Sequence, residues 1–175
     1  GFRKLACGIE AYTDELLKKI GKGQTVADID AFLARTSAID MPVQVNLMLC
    51  QPEATMYDVK KTAEFCLRVL SSDSRNTVAA WPYIKAYSGS WYYDNWEYIE
   101  YTHSTIPSLK GTAGGRIRIP VRFLPADREV RELLYAIDDA LRNDSYFAER
   151  QKNSYLATQL SEALCRFILD YRAGG

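Results

Sequence analysis

The sequence predicts an α+β fold, a mostly helical single domain over residues 1–175 with about five helices packed on a small antiparallel β-sheet. Three observations lead to this prediction. Apolar residues recur with helical spacing at both ends of the chain, whereas two central segments alternate apolar and polar residues. A length of 175 residues suffices for one hydrophobic core but falls short of the usual two-domain size.

Two helices and a strand are predicted in the first third of the chain. Apolar residues over 2–20 follow the helical period, which predicts the first helix. Thr25, followed three residues later by Asp28, resembles a capping box at the start of the second helix. Residues 42–50 place apolar side chains at every second position between two prolines, which predicts a strand with one buried face.

The middle of the chain is predicted to contain more helix and then β structure. Thr55 with Asp58 forms another capping pair, and the helix behind it places apolar residues on one face. A short helix is predicted over residues 76–80. Residues 90–104 are rich in Trp and Tyr, which favours β structure.

Residues 116–123 form the clearest strand of the sequence, and two helices follow it. The arginines of this strand are expected on one face, and Pro120 on that face indicates an edge strand. An amphipathic helix starts after Pro125, and a last helix runs from about Tyr146 to Tyr171. The predicted apolar face of the strand comprises Ile117, Ile119, Val121 and Phe123.

The charge balance excludes binding that is driven by global charge. The chain carries 22 basic and 22 acidic residues, so attraction to nucleic acid or membrane would need a local patch. No apolar run reaches the length of a membrane span. His103 is the single histidine, which excludes a multi-histidine metal site, and neither a P-loop nor a dinucleotide fingerprint occurs. The sequence therefore predicts no metal site and no cofactor.

The four cysteines lack the spacing of a metal or redox motif, because no two are close enough to form a CxxC unit. Each lies among apolar neighbours, which favours free thiols in a core and hence a reducing, cytoplasmic environment. Two disulfides in an exported protein are the alternative. The cysteines are Cys7, Cys50, Cys66 and Cys165.

Nine aromatic residues fall between positions 81 and 101, including all three tryptophans of the chain and six of its twelve tyrosines. Such side chains join a large apolar area to a polar group and are frequent in interfaces. We predict that this aromatic segment contacts a protein partner or a second copy of the chain. In the alternative, the rings fill the space between the sheet and the C-terminal helices. The nine residues are Trp81, Tyr83, Tyr87, Trp91, Tyr92, Tyr93, Trp96, Tyr98 and Tyr101.

A one-sided basic stretch follows the aromatic segment, since residues 105–125 carry four positive charges and no acidic residue. Arginines at alternate positions of one strand could contact successive phosphates while neighbouring aromatic rings stack on bases, which would form a single-stranded nucleic-acid-binding site. In the alternative, Glu97 and Glu100 on a paired strand neutralise these arginines. The four basic residues are Lys110, Arg116, Arg118 and Arg122.

Catalysis is the least favoured of the three functions considered. Asp94, Glu97 and Glu100 lie among the rings, and a glycosidase uses two carboxylates beside stacking rings. Glu97 and Glu100 would point to opposite faces of a strand, however, which favours ordinary surface charge. A small glycan-acting enzyme is therefore the third hypothesis, and no catalytic residue is assigned.

The favoured function is a non-enzymatic protein–protein interaction or assembly module that uses the aromatic segment. Single-stranded nucleic-acid binding through the basic strand is the second hypothesis. Gly1 and the pair Gly174–Gly175 at the other end would fit excision from a longer precursor, as occurs in some viral polyproteins. In that setting we expect a virus-encoded or precursor-derived structural protein.

Overall fold

Six helices and five strands make up the part of the chain that the structure describes, a computed structural model covering residues 1–106, 115–142 and 154–172. The predicted mixture of helix and strand is confirmed. The strands are β1 (Leu5–Glu10), β2 (Val43–Met48), β3 (Thr77–Trp81), β4 (Ile99–Ile106) and β5 (Gly115–Phe123). The helices are α1 (Asp14–Lys19), α2 (Val26–Ala38), α3 (Met56–Ser72), α4 (Trp91–Asn95), α5 (Arg128–Arg142) and α6 (Ser154–Asp170).

The prediction of one small antiparallel sheet is wrong, because the five described strands form two sheets. β1, β2 and β3 make a parallel sheet with β2 in the centre, and β4 pairs antiparallel with β5 in a separate ribbon. Parallel neighbours need a long crossover connection. Here α1 and α2 connect β1 to β2, and α3 connects β2 to β3.

Strand β1 occupies a region in which the periodicity predicts a helix. Leu5 and Ile9 are four residues apart, a spacing that fits one helical turn and also fits alternate positions of a strand. Pairing with β2, which sets Leu5 opposite Val43, favours the strand. The helix begins only at α1, where Thr13 Oγ1 accepts a hydrogen bond from the Leu16 amide.

Two further segments differ from their predicted structure. Residues 76–80, for which the sequence predicts a short helix, belong mainly to β3, and β3 pairs with β2 along its whole length. Residues 90–104, for which it predicts β structure, begin with the short helix α4. Ser90 caps that helix by accepting a hydrogen bond from the Tyr93 amide. Strand pairing in one case and a local cap in the other outweigh side-chain propensity.

The predictions with a strong local signal are confirmed. Thr25 and Thr55 each start a helix, and in both capping boxes an aspartate three residues later accepts the hydrogen bond of the threonine amide. Strand β2 buries alternate side chains, as its sequence pattern predicts. β5, α5 and α6 lie in the segments predicted for a strand and two helices. The last helix is predicted from about Tyr146, and residues 143–153 lie outside the described part.

The main hydrophobic core lies between the helices and one face of the parallel sheet. Val45, Leu47 and Val78 on that face belong to the same buried cluster as apolar residues of α1, α3, α5 and α6. Helix α6 also covers the outer edge of β3, where Ser161 Oγ accepts a hydrogen bond of 2.9 Å from the Ala80 amide. A covered edge is protected from pairing with another chain.

The four cysteines are free thiols, as the favoured interpretation of the sequence predicts. Burial raises the pKa of Cys50 to about 12. A hydrogen bond with Cys66, together with burial, raises the pKa of Cys165. Neutral thiols are poor nucleophiles, so these two cysteines are packing residues. Among the described residues, no helix combines the length and the apolar character needed to cross a membrane.

Candidate interaction surface

The aromatic segment connects the parallel sheet to the antiparallel ribbon. It leaves β3 at Trp81, makes a turn closed by a 3.2 Å hydrogen bond from the Ser90 amide to the Tyr87 carbonyl, and passes through α4 into β4. Two of its nine rings, those of Tyr87 and Trp91, are each 66% exposed. The other seven are partly buried. The segment therefore contains both packed rings and exposed rings.

Tyr92 and Trp96 attach α4 to the end of β5. The ring centroid of Tyr92 lies 5.4 Å from that of Phe123 and 5.8 Å from that of Trp96. Trp96 Nε1 donates a hydrogen bond of 2.8 Å to the Leu124 carbonyl. The Trp96 ring also meets the Tyr98 ring edge-on, with centroids 6.3 Å apart. In this half of the segment the rings pack against the end of β5, whereas the alternative prediction places them between the sheet and the C-terminal helices.

A hydrogen bond ties α4 to the loop that follows β2. The Tyr92 hydroxyl donates to Glu53 Oε2. Burial and the neighbouring carboxylate raise the pKa of Tyr92, so the hydroxyl keeps its proton and remains a donor. Tyr92 thus holds α4 from two sides, through its ring and through its hydroxyl.

The exposed aromatic pair, Tyr87 and Trp91, lies on a segment that is bonded to β5. The Ala86 amide donates a hydrogen bond of 3.1 Å to the Val121 carbonyl of β5. Tyr87 is the next residue after Ala86 and therefore lies beside β5. Val121 and Ile119 of β5 are 37% and 38% exposed. Exposed aromatic and exposed aliphatic side chains therefore occur on neighbouring parts of the chain.

The burial of the side chains of β5 differs from the predicted division into a buried apolar face and an exposed arginine face. Phe123 is buried as expected, but Ile119 and Val121 are exposed, while Arg122 is only 5% exposed. Strand β4 pairs with Arg122 and then with Pro120, so the ladder skips Val121. A skipped residue of this kind interrupts the strict alternation on which the prediction depends.

Arg122 is a buried link between the ribbon and α5. Its guanidinium forms ion pairs of 2.5 Å with Glu100 of β4 and with Asp138 of α5. The guanidinium carbon lies 5.0 Å from the ring centroid of Tyr83 and 5.8 Å from that of Tyr135. Burial opposes the charge, but the two carboxylates stabilise it and the pKa of Arg122 is raised. At this position the basic strand is neutralised, as the alternative interpretation of the sequence predicts.

Arg118 has different surroundings. Its side chain is exposed, its guanidinium carbon lies 3.6 Å from the ring centroid of Tyr101, and His103 is its cross-strand partner. Within the described residues Arg118 forms no ion pair. The backbone of Arg116 is also part of β5, but its side chain lies outside the described part, as does the whole of Lys110. Of the four basic residues, Arg118 is the one whose side chain the structure places at the surface.

Two of the residues that hold α4 and Arg122 in place are not indicated by the sequence. Glu53 lies in a loop after Pro52, and Asp138 lies on α5, so neither is close in sequence to its partner. No local signal predicts such long-range pairs. The carboxylates considered for glycan hydrolysis are not brought together as free groups, because Asp94 and Glu97 are exposed whereas Glu100 is engaged by Arg122.

A cleft of 370 Å³ lies between α2 and α3, and none of its lining residues belongs to the aromatic segment. Both of its arginines are engaged by its carboxylates, Arg68 by Asp30, and Arg75 by Asp40 and Asp73. The cleft adjoins the starts of β2 and β3, whereas open α/β sheets bind ligands beyond the opposite ends of their strands. It is therefore a weaker candidate site than the exposed aromatic pair.

Within residues 1–106, 115–142 and 154–172, no group of three or more His, Cys, Asp or Glu side chains is placed to hold a metal ion. No protein-family model matches the chain, and no curated protein or solved structure is significantly similar to it. A functional proposal therefore depends on the chemistry and geometry of the surface itself.

Proposed function

We propose that this protein is a non-enzymatic interaction module that binds a second protein chain through its exposed aromatic pair. The supporting observation is that Tyr87 and Trp91 each expose 66% of their surface on a segment bonded to β5, where Ile119 and Val121 are also exposed. Trp and Tyr are enriched among the side chains that dominate binding energy in protein interfaces. Covering these groups would remove a large apolar area from water.

The support beneath the aromatic pair favours this role. Trp96 and Tyr92 hold α4 through hydrogen bonds to Leu124 and Glu53, and a closed turn precedes the helix. A side chain presented on a fixed backbone loses less conformational entropy when a partner binds. Binding energy is therefore expected to depend strongly on Trp91, the larger of the two exposed rings.

A second copy of the chain is the partner to test first, because two-fold dimers are the most common homo-oligomers. The experiment is sedimentation velocity over a wide concentration range with wild type, Trp91→Ser and Tyr57→Ser. Tyr57 on α3 is a matched control, since it is 63% exposed and lies outside the aromatic segment. We expect the mass to rise with concentration for wild type and Tyr57→Ser, but to stay that of a monomer for Trp91→Ser.

Two other outcomes are informative. If Trp91→Ser associates over the same concentration range as wild type, the aromatic pair is not the interface. A concentration-independent mass for wild type would exclude a second copy as the partner. The partner would then be a different protein, and a photoreactive phenylalanine analogue at position 91, compared with the same analogue at position 57, would test for it.

Single-stranded nucleic-acid binding is a second candidate function, supported by the position of Arg118. Its exposed guanidinium stacks on the Tyr101 ring, forms no ion pair within the described part, and lies opposite His103. A guanidinium beside an aromatic ring offers both phosphate contact and a stacking surface. Arg122 does not support this candidate function, because its guanidinium is already paired with two carboxylates.

A further inference from the structure

Strand β1 has one edge that pairs with β2 and one edge that faces away from the sheet. The Leu5 amide donates a hydrogen bond of 3.1 Å to the Pro42 carbonyl, so the backbone groups of Leu5 point towards β2. Backbone groups alternate in direction along a strand, and those of Ala6 and Gly8 therefore point away from β2. We name this side of residues 4–10 the outer edge of β1.

The outer edge of β1 differs from the opposite edge of the sheet, which α6 covers through the hydrogen bond from Ala80 to Ser161. Among the described strands, β1 has no neighbour other than β2. Within residues 1–106, 115–142 and 154–172, the outward amide and carbonyl groups of Ala6 and Gly8 have no hydrogen-bond partner, and the Ala6 side chain is exposed. Such backbone groups can pair with a strand of another chain.

Opposite charges flank the outer edge of β1 on one face of the strand. Lys4 Nζ donates a hydrogen bond of 3.3 Å to Thr77 Oγ1. A Cβ added to Gly8 would collide with Glu10 Oε1, which places the Glu10 carboxylate over Gly8. Glu10 Oε1 also pairs with Lys22 at 3.3 Å. An ammonium offers several donors and a carboxylate has a second oxygen, so both charged groups can take a further partner.

The residue order along β1 is complementary to itself when two copies run antiparallel. With Cys7 on the two-fold axis, Ala6 of one copy lies opposite Gly8 of the other, and the backbone groups of both point outward. The same register sets Lys4 opposite Glu10 at both ends of the pairing, and any shifted register separates them. Opposite charges across a strand pair stabilise it, and two-fold symmetry repeats each contact. A second copy is therefore the occupant that fits this edge.

The size of this contact limits what it can do alone. A strand of six residues is about 20 Å long, and its pairing covers roughly 200 Å² of each chain. A stable dimer buries about 800 Å² on each partner. The strand contact is thus too small to hold a dimer by itself, and Trp91→Ser is still expected to sediment as a monomer.

We infer that the outer edge of β1 is a second self-association contact, which pairs antiparallel with the same edge of another copy. The pairing joins the parallel sheets of two copies into one continuous sheet. Its part in assembly rests on the proposed function, because the exposed aromatic pair first links two copies and the strand contact then joins such pairs. The pairing itself does not involve Trp91.

The test traps this pairing through Cys7. Facing Cα atoms of a non-hydrogen-bonded antiparallel pair lie about 4.5 Å apart, which a disulfide can span. The chain is incubated at high concentration with oxidised glutathione, which takes up the electrons and protons of two Cys7 thiols and leaves as two molecules of reduced glutathione. Burial raises the pKa of Cys7, so the reaction is run at alkaline pH. We expect a Cys7–Cys7 dimer for wild type and for Trp91→Ser, identified by non-reducing electrophoresis and mass spectrometry.

Two sets of variants separate strand pairing from random collision. Ala6→Pro removes an outward amide that β2 does not use, so the rate of cross-linking should fall about tenfold. Lys4→Glu and Glu10→Lys should each lower the rate about threefold, because like charges then meet at both ends. Mixing these two charge variants sets opposite charges facing each other again. Their mixed dimer, distinguished by mass, should form faster than the dimer of either variant with itself. Circular dichroism shows whether each variant is folded.

Three results would overturn the inference. The first is the absence of a Cys7–Cys7 dimer in Trp91→Ser, which would show that β1 has no contact of its own. The second is an equal rate for wild type and folded Ala6→Pro, which would indicate collision. The third is a mixed dimer of the charge variants that forms no faster than the unmixed ones, which would exclude the register. Failure of the proposed function is distinct, because Trp91→Ser would then sediment as wild type while cross-linking still depended on Ala6.

Discussion

Arg122 of β5 and Glu100 of β4 are direct cross-strand partners, and an ion pair of 2.5 Å between Nε and Oε2 joins their side chains. The same guanidinium also pairs with Asp138 of α5. One arginine therefore connects both strands of the ribbon to the helix that follows them. Because the aromatic segment runs directly into β4, this link also fixes one end of the proposed interaction surface.

Replacing Arg122 is expected to destabilise the fold. Arg122→Gln would leave two carboxylates without their buried partner, and breaking such a pair costs about 3 kcal/mol of unfolding free energy. Urea denaturation measures the loss. Arg128→Gln is the control, because Arg128 and Glu132 form an exposed pair on α5 and should contribute less than about 1 kcal/mol. Equal effects of the two substitutions would contradict the role assigned to Arg122.

Trp91 and Trp96 are expected to respond differently to truncation. Trp96→Ala removes a packed ring and its hydrogen bond to Leu124, at a cost of about 3 kcal/mol of unfolding free energy. Trp91→Ser removes an exposed ring and should change the unfolding free energy by less than about 0.5 kcal/mol. Denaturant titrations of the two variants measure both changes in unfolding free energy. A large loss for Trp91→Ser would place that ring in the core.

Arg118 provides the test of nucleic-acid binding. If the second candidate function holds, Arg118→Ala should weaken a labelled single-stranded oligonucleotide roughly fivefold and lower the slope of log affinity against log salt by about 0.7. The slope falls because one phosphate contact, and the counterion that it releases, are lost. Arg128→Ala removes another exposed positive charge, on α5, and should have little effect. Fluorescence anisotropy at several salt concentrations measures both, and identical curves for wild type and Arg118→Ala would exclude the site.

The parts of the fold that could be predicted from the sequence are those that depend on neighbouring residues. Thr25 with Asp28 and Thr55 with Asp58 form complete capping boxes within four residues, so both helix starts were predictable. Strand β1 was not, because Leu5 and Ile9 have a spacing that fits both periods and only pairing with β2 selects the strand.

The candidate surface was predictable only as a segment. Composition alone indicates aromatic residues between 81 and 101, but it does not separate the exposed Trp91 from the packed Trp96. Trp96 is packed because its Nε1 donates to the Leu124 carbonyl, 28 residues away in the sequence, and its ring contacts Tyr92, which in turn packs on Phe123. The burial of Arg122 likewise depends on Asp138 of a later helix. Long-range pairs of this kind have no signature in a single sequence.

Asp58 connects the start of α3 to the start of α1. Its carboxylate accepts hydrogen bonds from the Thr13 hydroxyl, from the Thr55 amide at 2.9 Å and from the Thr55 hydroxyl at 2.7 Å, and the residue is 4% exposed. Burial alone would raise the pKa of Asp58, but these hydrogen bonds hold it below its usual range. The charged form is therefore the one that the fold stabilises.

This depressed pKa predicts how stability depends on pH. The contribution of Asp58 is complete above its unfolded-state pKa, about 3.9, and is lost as the pH falls through the lower pKa of the folded state. Asp58→Asn should cost about 2 kcal/mol of unfolding free energy at neutral pH, and the gap from wild type should close in acid. Denaturant titrations between neutral and acidic pH measure it. Asp28→Asn makes the corresponding change in the capping box of α2, at an exposed position, where a smaller loss is expected. A gap for Asp58→Asn that persists below the folded-state pKa would show that packing, and not the charge, is responsible.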